Sequence, residues 1–313
     1  MRIIHDQHYS ESDRKAFSTG VYDNIMSAMQ ALIQAMENLN IDYGNKENKH
    51  LADLISNVEV NKTFVLDNKY AKTIKDLWED DGIKRCYDRR NEFHLLDSAS
   101  YFFTEIDRIA AENYIPTEQD VLRMRVITTG ITEYVFPWKK MNLRIVDVGG
   151  QRSERIKWTH CLNKVFALIF LASLSEYDQR LEETNEENRM KESIALFHTV
   201  VDYKWFQNTS VILFLNKKDI LEEKILTSNV VTYFPEFRGH TKSASDARNF
   251  IYKLYENEFL KVMAKKKAMK EVVKERSLFR HFTCAVDKDN ITKVFNDVKD
   301  TVLIKYLDEM GLF

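Results

Sequence analysis

From residue 126 onward the chain alternates short apolar runs with helical patterns, whereas nothing before that point reads as a strand. Three runs, 165–174, 210–215 and 282–286, are nearly continuous in apolar residues. Such runs suit strands buried on both faces, as in a parallel sheet. Helical stretches at 185–201, 244–267 and 291–310 separate or follow them. Strand and helix in alternation imply a doubly wound α/β domain. Residues 131–136 and 143–148 read as the arms of a hairpin turned at 137–142. The first third is helical instead. Val21, Ile25, Met29, Leu32 and Met36 recur at three- and four-residue steps and form one apolar stripe. Shorter helical patterns cover 51–58, 70–78, 83–96 and 98–110, and the change of character falls near Leu122. With only 8 Gly and 3 Pro the chain favours long helices over irregular loops.

Bulk properties exclude several classes. Hydrophobic residues at 44% with charged residues at 30% suit a globular protein, and a net charge of −2 gives no global field for nucleic acid. No apolar run reaches the roughly 18 residues that a membrane span needs. Residues 1–5 carry neither a signal-peptide nor a myristoylation pattern. Cys86, Cys161 and Cys284 are odd in number and scattered, so they read as reduced structural thiols.

Chemistry concentrates where the apolar runs end. Asp147 closes one run and Gly149-Gly150-Gln151 follows. In open α/β sheets ligands sit beyond the carboxyl ends of the strands. A carboxylate there suits a magnesium ion held through water, and Gly150 lets a backbone N–H approach a phosphate. Gln151 stands where an amide orients an attacking water. Taken alone, D-x-G-G is also an ordinary strand-to-helix turn. Asn216-Lys217-Lys218-Asp219 closes the next run. Its Asp219 carboxylate suits the N1–H and exocyclic amine of guanine, a pair adenine lacks, while Asn216 suits the N7 edge and the Lys217 stem the purine face. Thr283-Cys284-Ala285 allows the Ala285 N–H to reach the guanine carbonyl. Arg125 suits charge that grows on a transferring phosphoryl group, and the Thr128 hydroxyl suits magnesium. Phosphoryl transfer needs positioning and charge compensation more than a covalent nucleophile. The chain holds no G-x-x-x-x-G-K-[ST] phosphate loop.

The ordered segments 88–90, 96–98, 120–123, 125–130, 147–154, 214–219 and 282–285 together resemble the α subunits of heterotrimeric G proteins over nearly the whole chain. Residues 220–225 and 298–301 are more similar to the Gq branch than to the Gi branch. The resemblance implies a Ras-like GTPase fold, a mostly parallel sheet flanked by helices, interrupted by an inserted all-α domain. It divides the chain into 1–8 (a remnant of the first Ras-like helix), 9–122 (helical domain) and 123–313 (Ras-like domain), with the first strand and phosphate loop absent. Arg125 matches the family's built-in arginine, the standing example of one supplied in cis, and Gln151 its catalytic glutamine. The implied nucleotide contacts are Asp97, Ser98, Leu122, Arg123, Met124 and Arg125, then Asp147, Val148, Gly149, Gly150 and Gln151, then Asn216, Lys217, Lys218, Asp219 and Ala285. Thr128 and Asp147 would serve Mg2+, with GTP or GDP as ligand.

Implied partners are the βγ dimer and an effector or RGS protein at the switch segments, with residues 153–161 as the switch helix, and a receptor at the helix 291–313. No nucleic acid is implied. The full-length family member belongs on the cytoplasmic face of the plasma membrane; this chain, without a lipidation site, is expected in the cytosol. The alternative reading is a truncated, non-catalytic fragment that meets a receptor or partner without nucleotide. Val286 stands where the family has threonine, residues 261–276 are more basic than usual, and Met310 replaces the cysteine that pertussis toxin modifies.

Overall fold

The computed structural model describes residues 9–59, 65–138, 141–160, 165–181, 187–269 and 276–309. The expected helix remnant at 1–8, Cys161 and Met310 lie outside them, as does part of the basic stretch 261–276.

The first part is helical throughout its described residues. A short α1 (Glu11–Lys15) leads into α2 (Ser18–Asn38), then α3 (Asn48–Ser56), α4 (Asn68–Glu79), α5 (Asp81–Asp88), α6 (Ala99–Thr104), α7 (Ile106–Ile109) and α8 (Glu118–Arg123). The apolar stripe of α2 is buried as the spacing predicts: Val21, Ile25, Met29 and Leu32 are fully enclosed. Asn40, at φ 52°, ends α2 in the left-handed turn that commonly stops a helix. Helices α3 to α7 pack around α2, and the core includes Ile55, Ile74, Leu77, Ile83, Phe102 and Ile109.

Two expected helices are shorter than their patterns. The apolar spacing over 83–96 continues past the end of α5 at Asp88, because Leu95 packs on the core from an irregular segment. The 98–110 pattern breaks at Glu105 into α6 and α7.

Asp120 is the polar anchor of this helical part. Its fully buried carboxylate accepts from both outer nitrogens of Arg108 (2.8 and 2.9 Å), Tyr101 Oη (2.8 Å), Tyr114 Oη (3.0 Å) and the Thr117 N–H (2.8 Å). Burial pushes this carboxyl up, but the Arg108 guanidinium first, then the Thr117 amide and two tyrosines, outweigh it and hold it at about 2. Its contribution is therefore complete above the ordinary aspartate value of ~3.9 and is lost as pH falls toward about 2. Asp120→Ala leaves a part-exposed guanidinium and two phenols without their acceptor, so urea unfolding near pH 7 should show a loss of roughly 1–3 kcal/mol. The same variant should lose less of its remaining stability than the parent between pH 4 and pH 2; equal losses would remove Asp120 from this role.

The second part begins with the hairpin β1 (Ile131–Trp138) and β2 (Met141–Val148), paired antiparallel from Ile131↔Val148 to Trp138↔Met141. Then come β3 (Ala167–Ser173), α9 (Arg189–Asp202), β4 (Ser210–Asn216), α10 (Lys218–Lys224), α11 (Val230–Tyr233), α12 (Ala244–Ala268), β5 (Leu278–Phe282) and α13 (Lys288–Glu309). Strands β3, β4 and β5 form a parallel sheet in that order. Central β4 is covered on both sides. Leu213 and Leu215 join the core made by α9 and α12, where Phe197 meets Phe170 and Tyr255 edge-on, while Ile212 packs against Val294 and Val298 of α13.

Two expectations are corrected here. Among the described residues the strands form two separate sheets rather than one. The last strand lies at 278–282, not 282–286: Thr283 to Ala285 leave the sheet because their polar groups bond to Asn216 and Asn290. Part of the basic 261–276 stretch is enclosed. Lys266 and Arg276 are buried, and Arg276 donates to the carbonyls of Thr209 (3.0 Å) and Val201 (3.1 Å).

Candidate functional site

The carboxyl ends of β2 and β4, the loop after β5 and the linker after α8 all open on one cleft of about 1410 Å³. Its walls include Leu122, Arg125, Asp147, Val148, Gly150, Gln151, Asn216 and Ala285. Ile145 and Val146 of β2 and Ile169 to Leu171 of β3 line its apolar side.

Gly149 is where the linker and the end of β2 meet. A Cβ there would lie 2.6 Å from the Thr128 carbonyl oxygen and 2.8 Å from the Glu154 side chain, so only glycine allows this approach. Glu154 reinforces the junction by accepting from the Gly130 N–H (2.8 Å) and Lys157 (2.6 Å). Trp158 Nε1 donates to the Gly149 carbonyl at 2.8 Å and Arg155 to that of Gly150 at 3.0 Å. The expected switch helix takes 3-10 form over Arg155–His160. Arg152 and Arg155 reach Glu192 on α9. Asp147 is exposed by surface area, yet the protein around it desolvates its carboxyl enough to push it up, with the Val148 N–H acting against the shift. A cation beside it would offset that cost.

The other end of the cleft is organised by Asn216. Its Oδ1 accepts from Thr283 Oγ1 (3.0 Å) and from the Ala285 N–H (3.0 Å), and the Thr283 carbonyl accepts from the Lys218 N–H at 3.2 Å. Lys217 takes a left-handed conformation (φ 62°, ψ 42°), which turns the chain sharply from β4 into α10. Asp219 then sits in the first turn of α10. Burial first, and the Asp219 carboxylate second, push the neighbouring Cys284 thiol up, which suits a structural and unreactive cysteine. Cys284 N–H donates to Asn290 Oδ1 (2.9 Å), so the first turns of α13 hold this loop.

The helical part reaches the same place. Lys217 Nζ pairs with Asp97 at 2.5 Å. Burial works to raise the Asp97 carboxyl, and Lys217 overcomes it, leaving the group below the usual carboxylate range. Gln119 donates to the Val286 carbonyl (3.0 Å), a contact indifferent to the side chain at 286. Asn24 holds the Arg125 backbone by a reciprocal pair (2.6 and 3.1 Å), and the Arg125 guanidinium meets His94 at 2.9 Å.

Of the residues singled out from sequence, Met124 turns away and packs against Gly20 and the helical core. Arg123 lies over the Tyr101 ring at 4.5 Å, and Ser98 precedes α6 without a side-chain cap bond. Thr128 touches Gly149 through its backbone. Sequence reasoning missed Asn24, His94, Gln119 and Asn290, whose partners lie far away in sequence or carry no motif.

A protein-family model described as G-protein alpha subunit matches residues 1–302. The guanine nucleotide-binding protein subunit alpha-15 of Homo sapiens is 54% identical over 312 residues, covering 100% of this chain and 83% of the human protein. The proteins of the same description from Oryctolagus cuniculus and Mus musculus are 54% and 52% identical over the same span.

Proposed function

The chain belongs to the G-protein α-subunit family, and from that premise we propose that the cleft is its nucleotide site, with Arg125 and Gln151 catalytic. The membership makes it a guanine nucleotide-binding α subunit of a heterotrimeric G protein and a GTPase of signal transduction. The observation that carries the site assignment is the convergence of Arg125, Asp147, Gly150, Gln151, Asn216 and Ala285 on one cleft.

In this reading Asp219 accepts from the guanine edge while Ala285 and Asn216 frame the base. Gly150 offers its N–H to the γ-phosphate, Gln151 orients the water, and Arg125 compensates charge that grows in the transition state. Thr128 and Asp147 are the residues that would hold Mg2+, and the close approach at Gly149 puts their segments together. When bound, the ion would offset the negative charge of the phosphates. Residues 9–122 form the helical lid, from which Asp97, Ser98 and Leu122 face the nucleotide, with Arg123 beside them at the boundary.

The cleft exceeds the roughly 300–1,000 Å³ of most ligand sites. Its walls include β2 and β3, which pair only with β1 and β4 among the described residues. We assign the extra room to a phosphate-binding loop of the G-x-x-x-x-G-K-[ST] kind, a motif that does not occur in this sequence. Such a loop supplies two or three charge-assisted bonds at roughly 1.5–3 kcal/mol each. GTP should therefore bind this chain roughly a thousandfold or more weaker than a version fused to a strand and G-x-x-x-x-G-K-[ST] loop. Isothermal titration of both decides: equal affinities remove the role of the loop, and no binding by the completed version removes the nucleotide site.

Partner surfaces follow from exposed apolar residues. Val126, Ile127, Val135 and Ile156 are more than half exposed around the switch segments, which supports βγ, effector or RGS contact there. A receptor would meet α13 and the residues after it. The Gq-like lean of 220–225 and 298–301 also belongs to this proposal. No helix among the described residues is long and apolar enough to cross a membrane; location at the cytoplasmic membrane face follows from the partners.

A further inference from the structure

Residues 283–287 leave β5 and lead into α13, and three neighbours hold them. From the end of β4, Asn216 Oδ1 accepts from Thr283 Oγ1 (3.0 Å) and from the Ala285 N–H (3.0 Å). From the first turn of α13, Asn290 Oδ1 accepts from the Cys284 N–H (2.9 Å), while its own N–H donates to Asp287 Oδ1 (3.0 Å). The third hold comes from the helical part, where Gln119 Nε2 donates to the Val286 carbonyl at 3.0 Å across 167 positions of sequence. Gln119 has a rigid base. It is the second residue of α8 and directly precedes Asp120, whose carboxylate is tied to Arg108, Tyr101, Tyr114 and the Thr117 N–H. Arg14 of α1 bonds to the Pro116 carbonyl just ahead of this helix at 3.1 Å. The same helix ends at Arg123, next to the linker that carries Arg125.

We propose that Gln119 is a positioning residue for the guanine loop: its bond to the Val286 carbonyl keeps 283–287 closed on Asn216, so that the base meets a frame set before it arrives. The proposal rests on reading the cleft as the nucleotide site. A carbonyl fixed from the helical part and amides fixed from β4 and α13 leave the loop little freedom. A loop already in place spares the ordering cost that binding would otherwise carry. The helical part thereby acts on the base end of the cleft as well as on Arg125. The acceptor belongs to the main chain, so the presence of a donor at position 119 is what matters, and the side chain at 286 is not.

Two measurements on the full chain test this. The first is amide exchange without nucleotide. Gln119→Ala should speed exchange of the Cys284, Ala285 and Asp287 amides, which are bonded to Asn290, Asn216 and the Cys284 carbonyl, roughly two- to fivefold. Strand β4 should stay as it is. Two more variants separate this role from a role in helix stability. Position 119 lies in the first turn of α8, where the helix dipole favours an acid and disfavours a base. Gln119→Glu has no donor and should lose at least as much protection as alanine, whereas Gln119→Lys keeps a donor and should stay near the parent. A residue that served only α8 would give the reverse order. Unchanged exchange in Gln119→Ala, or that reverse order, overturns the proposal. The second measurement is titration with GDP. Affinity should fall roughly two- to fivefold in the alanine and glutamate variants and hold in the lysine variant, with the hydrolysis rate of bound GTP unchanged in all three. Faster exchange with no loss of GDP affinity would overturn the role in base binding. Absence of GDP binding in every form would instead count against the cleft as the nucleotide site, while the exchange still decides the Gln119–Val286 contact.

Discussion

Arg125→Cys lowers kcat for GTP roughly 10²–10³-fold while leaving nucleotide affinity within about twofold. The reasoning starts from charge. In phosphoryl transfer the charge on the transferring group and leaving oxygen changes between ground and transition state, so a donor aimed there acts on kcat more than on binding. Arg125 lines the cleft on a linker whose backbone is fixed to α2 by Asn24 and whose next segment is pressed against Gly149. A cysteine keeps that backbone and removes only the guanidinium. Single-turnover hydrolysis and an equilibrium titration with a non-hydrolysable analogue separate the two effects. Equal losses in both would make Arg125 a binding residue.

Asp219→Asn should reverse the choice of base. The aspartate lies in the first turn of α10, directly after the left-handed turn at Lys217, beside Cys284 and the loop that carries Ala285. A carboxylate accepts from both guanine donors, whereas an amide accepts from one and presents its own N–H groups to the other. Xanthine has an oxygen at that position and suits the amide. Two charge-assisted bonds at roughly 1.5–3 kcal/mol each place the loss of GTP preference at roughly 10²–10⁴-fold. Competition of GTP against xanthosine triphosphate reads this as a ratio. A ratio unchanged by the substitution would remove Asp219 from base recognition.

Much of the scaffold is legible because single residues report on one face. The α2 stripe, the hairpin and β4, buried on both sides, follow directly from period and run length. β5 is less legible because Arg280 and His281 interrupt its apolar run: Arg280 lies over Tyr252 at 4.4 Å, a tertiary contact that lets a charge sit in a strand. Thr283 to Ala285 look like strand until Asn216 and Asn290 claim their polar groups. At the site, the place of Asn216 and Ala285 beside the cleft is legible because chemistry beyond the carboxyl ends of parallel strands shares one side of a sheet, whereas Asp147 and Gly150 reach it from the end of the separate hairpin and Arg125 from the linker. Thr128 and Met124 show the limit of that argument, since it places a segment but not the direction of each side chain. Asp120 with Arg108, His94 with Arg125 and Gln119 with Val286 pair over 12, 31 and 167 positions, and no local pattern encodes such a pairing.

The measurement that bears most directly on the account is hydrogen exchange of the full chain with and without saturating Mg2+ and a non-hydrolysable GTP analogue. Protection should rise together at 125–130, 147–151, 216–219 and 283–285, and ATP at the same concentration should leave all four unchanged. Protection confined to one of these segments, or equal protection by ATP, would contradict a single guanine-nucleotide site built from the linker and three strand ends.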